Sequence, residues 1–332
     1  MAVQATDSTM KLARGWKKIA SWVTTGEGLP VLVVVAFVVF FSVTSSSFLS
    51  LRNFVAVSGE ASTLLLACTG ATFVILMGSI DLSVGAMVLL AGAVTVMAVN
   101  AFGLGILGLL IGMVLGGLLG LANGVVFAYG VIPSFVVTLG SLSVFTGIAL
   151  EILQGQAVSF YSDTFSNLAI GQWIPNVPNI ALFAIVIWAV MVWVCFRTRF
   201  GRYMYVIGGG EAVARTSGVP VRRYKIYAFI LSGVMAGLAG ALAVARQGAA
   251  GPTLGSDLLL DTLAAIVVGG TSLSGGVGGI QRTLLGVLII TLLDDGLNLL
   301  GVSDYTQMMV KGAVVILAVL ISQDRRKITM MK

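Results

Sequence analysis

The chain has 332 residues, 58% hydrophobic and 10% charged, with a mean hydropathy of +1.05 and a formal net charge of +6. A soluble domain keeps roughly a quarter of its residues charged to face water, so this composition excludes a free globular enzyme and predicts an all-α polytopic membrane protein. Histidine is absent and the two cysteines, Cys68 and Cys195, sit far apart in apolar runs, which leaves no zinc constellation, histidine relay or disulfide framework, so no metal site is expected and both thiols read as packing groups.

A hydrocarbon core of about 30 Å takes roughly 20 helical residues to cross. Ten apolar runs are candidates, at 29–43, 54–77, 82–99, 104–129, 135–153, 180–196, 226–244, 254–270, 283–300 and 308–321. They are too long and too uniformly apolar for the alternating strands of a lipid-embedded barrel. The first run follows Lys11, Arg14, Lys17 and Lys18 and reads as an uncleaved anchor. The eighth carries Asp257 and Asp261 and dissolves into the glycine-rich stretch 269–279, so a broken crossing is expected there.

With the N-terminus inside, sixteen of the nineteen Lys and Arg residues fall on the inner face, leaving Arg52 and Arg246 outside and Lys311 within a span. The connection 154–179 carries neither residue type, as expected of a segment moved to the outer face. The chain therefore divides into an inner segment 1–28, spans one to six over 29–196, an inner loop 197–225, spans seven to ten over 226–322 and an inner tail 323–332. Charge clustered at span ends is topology, and no nucleic-acid partner is expected.

Within the spans, Asp81 lies in a turn with Ser83 and Gly85 and reads as the N-cap of the third span. Glycines over 108–124 at close helical spacing support tight helix crossings, either inside the subunit or across a dimer. Intramembrane charges are costly, so Glu60, Glu151, Asp257, Asp261, Asp294, Asp295 and Lys311 each need a reason. Asp294 and Asp295 with Lys311 are expected to form a buried ion pair that fixes helix register, a proton relay being the sharper alternative. A path for a neutral polar solute would use hydroxyl and amide groups, and the inward-prone residues are Asn123, Ser134, Thr138, Ser141, Ser143 and Asn298, with Phe135 as an aromatic face.

The loop 197–225 is the longest polar stretch on the inside. Glycines 208–210 are expected to break the preceding structure, Glu211 to open a short helix, Arg215 to lie one turn on, and Ser217 and Gly218 to end it. Glycine on both sides of so short an amphipathic helix makes it a peg for a cytoplasmic partner; headgroup anchoring is the blander reading.

Three stretches then carry a resemblance: Gly-Gly-Gly-Glu-Ala-Val-Ala-Arg-Thr-Ser-Gly-Val at 208–219, Gly-Ser-Ile-Asp-Leu-Ser-Val-Gly at 78–85, and Val-Gly-Gly-Thr-Ser-Leu-Ser-Gly-Gly-Val-Gly-Gly at 268–279. In order and separation they resemble the permease subunits of sugar-type ATP-binding-cassette importers of the ribose, galactose and xylose kind. The resemblance implies a type II importer-like fold with an inverted repeat of spans two to five and seven to ten, although no residue-level self-similarity is visible. It implies a coupling loop at Gly210, Glu211, Ala212, Ala214, Arg215, Ser217 and Gly218. It also implies turn residues important to the conformational cycle at Asp81, Ser83, Gly85, Gly269, Gly270, Ser274 and Gly275. The implied partners are a cytoplasmic ATPase subunit, a second permease subunit in a homo- or heterodimer, a periplasmic solute-binding protein and the bilayer of a bacterial inner membrane. Many relatives have glycine where this chain has Ser79.

No GxxxxGK[ST] phosphate loop occurs, so ATP and Mg would belong to the partner and no cofactor to this chain. A carrier driven by an ion gradient is the alternative, but it has no use for a docking helix. A membrane enzyme would need a nucleophile with a base or a metal, and no polar cluster offers one.

Overall fold

A computed structural model describes residues 28–322, so the basic cluster Lys11, Arg14, Lys17 and Lys18 and the tail 323–332 lie outside the described residues. The chain runs α1 (Leu29–Thr44), α2 (Leu51–Leu76), α3 (Val84–Phe102), α4 (Leu107–Tyr129), α5 (Ser134–Leu153), β1 (Val158–Ser159), α6 (Asp163–Ile170), α7 (Asn179–Arg197), α8 (Arg199–Gly209), α9 (Glu211–Thr216), α10 (Val221–Gln247), β2 (Ala249–Ala250), α11 (Leu258–Val268), α12 (Ile280–Leu299) and α13 (Asp304–Ser322). Every apolar run is helical at its centre, because a backbone in lipid must satisfy its own polar groups.

Among the described residues six helices are long and apolar enough to cross a bilayer: α2, α3, α4, α5, α7 and α10. The protein is thus an all-α polytopic membrane protein. Of the other runs, α1 has 16 residues and α11 only 11, and at 1.5 Å per residue α11 rises about 16 Å, half a hydrocarbon core. Irregular chain at 251–257 and 269–279 flanks it on both sides, as the glycines and acidic residues of the eighth run led one to expect.

Two ends of the bundle are defined by loop contacts. At one, β1 pairs antiparallel with β2, Val158 opposite Ala250, the Asn100 amide donates to Ser159 O at 2.9 Å and Ser166 Oγ to Ala245 O at 3.3 Å. At the other, Gly276 N–H donates to Leu76 O at 2.9 Å, the Tyr205 hydroxyl to Gly278 O at 2.9 Å, and Arg222 lies 5.5 Å over the Tyr129 ring. The 27 residues of α10 separate these two ends.

Packing between them is backbone on backbone. The buried face of α4 is Gly108, Gly112, Gly116, Gly120 and Gly124 with Asn123; its glycines from Gly112 to Gly124 lie on α10, while Gly108 meets Val99 and Phe165. A Cβ added to Gly116 would stand 2.1 Å from Gly233 O, and one added to Gly233 2.0 Å from Gly116 O. Gly237 stands in the same relation to Gly112 O, at 2.0 Å. The glycine spacing thus serves a crossing within the subunit, a choice its sequence pattern alone had left open. Leucine cannot drive helices together in lipid, so close approach of small residues must. The opposite face of α4, with Leu110, Val114 and Leu118, remains exposed for the acyl chains.

Charge ties the last three helices together. Lys311 on α13 forms ion pairs with Asp261 on α11 at 3.0 Å and with Asp294 on α12 at 3.3 Å. The expected register-fixing pair is present for Asp294. Asp295 instead accepts from the Asn53 amide on α2 at 2.7 Å, because successive residues on a helix point about 100° apart and meet different neighbours.

Gly116→Val should cost at least about 1–3 kcal/mol and fail to yield a monodisperse protein on size exclusion after extraction. Gly140→Ala, whose added methyl meets nothing within 4 Å, should behave as wild type; equal melting of both variants would refute the crossing. Lys311→Met, which strands two carboxylates, should destabilise by about 3–5 kcal/mol. Adding Asp261→Asn and Asp294→Asn should recover part of that loss in the same thermal unfolding assay.

A glycine junction, an exposed peg and a polar cleft

The segment after α7 turns so sharply that a Cβ on Gly201 would stand 1.9 Å from Cys195 O. Thr198 starts α8, its hydroxyl accepting from Gly201 N–H at 3.4 Å, and α8 buries Gly201, Met204 and Ile207. It runs through Gly208 and Gly209, so the expected break at 208–210 occurs only at Gly210. Packing explains the glycine at 208, where a Cβ would stand 2.0 Å from Leu76 O and 2.5 Å from Gly276 N.

The short helix α9 begins at Glu211 and ends as expected. Ser217 is its C-cap and Gly218 takes φ +80°, with Gly218 N–H on Arg215 O and Val219 N–H on Ala214 O, both at 3.0 Å. This is the Schellman pattern, in which a left-handed glycine satisfies the last carbonyls. Ala214 is fully buried and anchors the helix, while Ala212 and Arg215 are exposed and Val213 is 67% exposed. Glu211 forms an ion pair with Arg215 and a second with Lys225 at 2.9 Å. Partial burial would raise its carboxyl, but hydrogen bonds and charge from Lys225 and Arg215 prevail and hold it below the usual carboxylate range. Lys225, whose ammonium also lies 4.4 Å over the Phe127 ring, was not singled out in the sequence; its place one turn into α10 was the available signal.

Three glycine-rich stretches meet beside this peg. Gly78, Gly275 and Gly276 all have left-handed backbones, at φ +77°, +81° and +73°. A Cβ on Gly275 would stand 2.6 Å from Gly78 N, and one on Gly276 2.9 Å from Gly209 N. Ser274 enters the contact through its backbone, its carbonyl oxygen 3.3 Å from a Cβ on Gly78, while its hydroxyl bonds Ser272 at 2.8 Å; Gly270, at φ +94°, lies against Arg282 instead. Gly269 caps α11 and lies against Arg282 O on α12.

Asp81 is 3% exposed. Its Oδ1 accepts from Ser83 N–H at 3.0 Å and Ser83 Oγ at 2.7 Å, and its Oδ2 from Ser232 Oγ of α10 at 2.9 Å. The N-cap expectation is corrected here: Ser83 is the cap residue, and Asp81 braces the turn that delivers it. The Asn123 amide donates to Ser83 Oγ at 2.8 Å, Ile80 N–H to Ser134 Oγ at 3.0 Å and Leu82 N–H to Thr138 Oγ1 at 3.0 Å. Asn123, Ser134 and Thr138 are thereby engaged with the turn, and Phe135 lies half exposed on the outside of α5. Gly85 seats on Gly255, a Cβ there standing 2.5 Å from Gly255 O. Nothing in the structure explains serine at 79.

At the ladder end a cleft of about 370 Å³ opens between α2, α10, α11, α12 and α13. Asn298 lines it; Asn123, Ser134, Phe135 and Thr138 do not. Its other polar groups include Glu60, Thr63, Arg246, Thr291, Gln307 and Lys311. Only their intramembrane charge marked some of them in the sequence, since they come from four helices distant along the chain.

Comparison with known proteins adds the family. The branched-chain amino acid transport system / permease component family matches residues 53–319. The ribose import permease protein RbsC of Escherichia coli (strain K12) is 36% identical over 310 residues, 92% of this chain and 96% of that protein. The D-allose transport system permease protein AlsC of the same organism is 35% identical over 302 residues, covering 90% and 91%. The probable ABC transporter permease protein YphD, also from Escherichia coli (strain K12), is 37% identical over 294 residues, 88% of each. No solved structure matches. With its polytopic helical fold and near full-length coverage by these relatives, the chain belongs to this family of transport-system permease components.

Proposed function

We propose that this chain is the membrane-spanning permease subunit of an ATP-binding-cassette importer that brings a monosaccharide into a bacterial cytoplasm. One observation carries the reading: α9 is anchored at Ala214 yet presents Ala212, Val213 and Arg215 outward, on a frame where three distant glycine stretches meet. A peg so held can pass force from a cytoplasmic ATPase into the helices. Gly210, Glu211, Ala212, Ala214, Arg215, Ser217 and Gly218 form the coupling surface, and Asp81, Ser83, Gly85, Gly269, Gly270, Ser274 and Gly275 shape the turns behind it. ATP and Mg belong to the ATPase. A second permease subunit and a periplasmic solute-binding protein complete the system.

Sidedness follows from charge. Arg197, Arg199, Arg202, Arg222, Arg223 and Arg282 belong to segments at the junction end, which the positive-inside rule places in the cytoplasm with both termini. The lysine- and arginine-free connection 154–179 belongs to the ladder end. In this arrangement all ten apolar helices pass between the two faces, α11 as a broken crossing between Ala250 and Gly276. Helices α2–α5 and α10–α13 then enter from opposite faces, as an inverted repeat requires. The domain division follows the same frame, with the coupling loop at 197–225 between two transmembrane blocks.

Cargo is read from the relatives named for ribose and D-allose. An ion-driven carrier would use the Lys311 triad as its motor, so uptake by the intact system should survive an uncoupler while ATP is maintained. The double change Glu211→Ala and Arg215→Ala, and separately Val213→Asp, should leave membrane insertion intact and abolish both ATPase co-purification and uptake. Normal transport in all of these variants would refute the docking role. In Arg215→Cys the new thiol should react with an impermeant maleimide from the cytoplasmic side alone, since Cys68 and Cys195 are buried.

A further inference from the structure

The cleft at the ladder end is not explained by docking or by helix packing. Its lining of twenty residues includes only four apolar side chains, Leu64, Ala243, Leu254 and Leu258. Five carboxylates, Glu60, Asp257, Asp261, Asp294 and Asp295, face it against two cations, Arg246 and Lys311. Its volume of about 370 Å³ falls within the range of small-molecule sites, about 300–1,000 Å³.

Part of its charge is already answered. Lys311 lies between Asp261 and Asp294, and Asp295 holds Asn53. Four buried atoms of its wall have no hydrogen-bond partner: Arg246 Nε, Asp261 Oδ1 (which has the Lys311 ammonium beside it at 3.0 Å), Thr291 Oγ1 and Asp294 Oδ1. Thr291 is only 2% exposed, yet its hydroxyl has no hydrogen-bond partner, and Asp294 Oδ1 has none either. A buried hydroxyl left unpaired costs about 1–3 kcal/mol, so such a group in a cleft wall calls for a partner that arrives from outside.

We propose that this cleft is a binding site within the single subunit for a neutral polyhydroxylated solute. Thr291 and Asp294 take hydroxyls at its inner wall, and Asn298 and Gln307 supply amides beside them. Anionic solutes are repelled by the surplus of carboxylates. A branched-chain amino acid fits poorly on two counts: its carboxylate meets that surplus, and its side chain finds little apolar wall. A metal ion fits poorly as well, since no group of three or more acidic, cysteine or histidine residues among those described is arranged to hold one.

The inference rests on the permease reading for its cargo class but is tested apart from it. Full-length protein in nanodiscs, without ATPase or binding protein, would be dialysed to equilibrium against radiolabelled D-ribose, D-allose, D-xylose, myo-inositol, L-leucine and putrescine in turn. At least one of the four neutral polyols should bind saturably, and neither L-leucine nor putrescine should displace it. Thr291→Val should weaken that binding about five-fold, the worth of one hydrogen bond, and Thr291→Ser should restore it. Asn298→Ala, on a separate helical turn, should weaken it independently. No saturable binding of any polyol, displacement by L-leucine or putrescine, or wild-type affinity in Thr291→Val would each overturn the site. ATP-dependent uptake by the intact system under any of those outcomes would leave the permease reading standing, so the two failures are distinguishable.

Discussion

Lipid offers helices no reward for hiding leucine from leucine, so the fold depends on how closely backbones can approach. Gly116 against Gly233, Gly85 against Gly255 and Gly208 against Leu76 are contacts in which an added methyl would fall well inside van der Waals contact with a carbonyl oxygen. Dispersion is gained only at short range and is lost quickly with a gap of an ångström. A chain with 42 glycines thus gives up backbone entropy for contact area that side chains could not reach.

The same closeness organises what the surface presents. One helix, α10, carries Lys225 beside Glu211 at one end, Ser232 on Asp81 farther along, and Arg246 in the cleft at the other. The peg, the buried turn and the cleft therefore share a single rigid element. Because α4 is pressed onto that element by its glycines, and α5 holds the turn through Ser134 and Thr138, the three features are placed relative to one another by packing and by side-chain hydrogen bonds.

Polar groups inside this protein are costly, and most are matched by specific partners. Asp81 takes three hydrogen bonds, and Lys311 is shared by two carboxylates. Thr291 and one oxygen of Asp294 are among the few described groups where the pattern fails, and both line the cleft. The family name refers to amino acids and two of the relatives' names to sugars, and a shared fold does not decide between them; the chemistry of the cleft wall bears on that choice.

Much of the architecture could be read from residues alone. Apolar runs marked the helices, and Gly210, Ser217 and Gly218 marked the limits of α9, because helix length and capping are local physics. Asp81 was legible as a turn residue, but its second oxygen meets Ser232 151 positions away, which no local rule supplies. Asn123, Ser134 and Thr138 looked like solute contacts because a hydroxyl's partner is invisible until the neighbouring helix is in place. Sequence by itself determined that this is a multi-helical membrane protein and, through three glycine-rich stretches, that it resembles permease subunits. Tertiary structure alone decided that three glycine stretches touch, that α4 crosses α10 within one subunit, and that Glu60, Thr291, Asn298 and Lys311 surround one cleft. Backbone contacts and cavities are made by residues far apart along the chain, and periodicity carries no record of which distant surfaces meet.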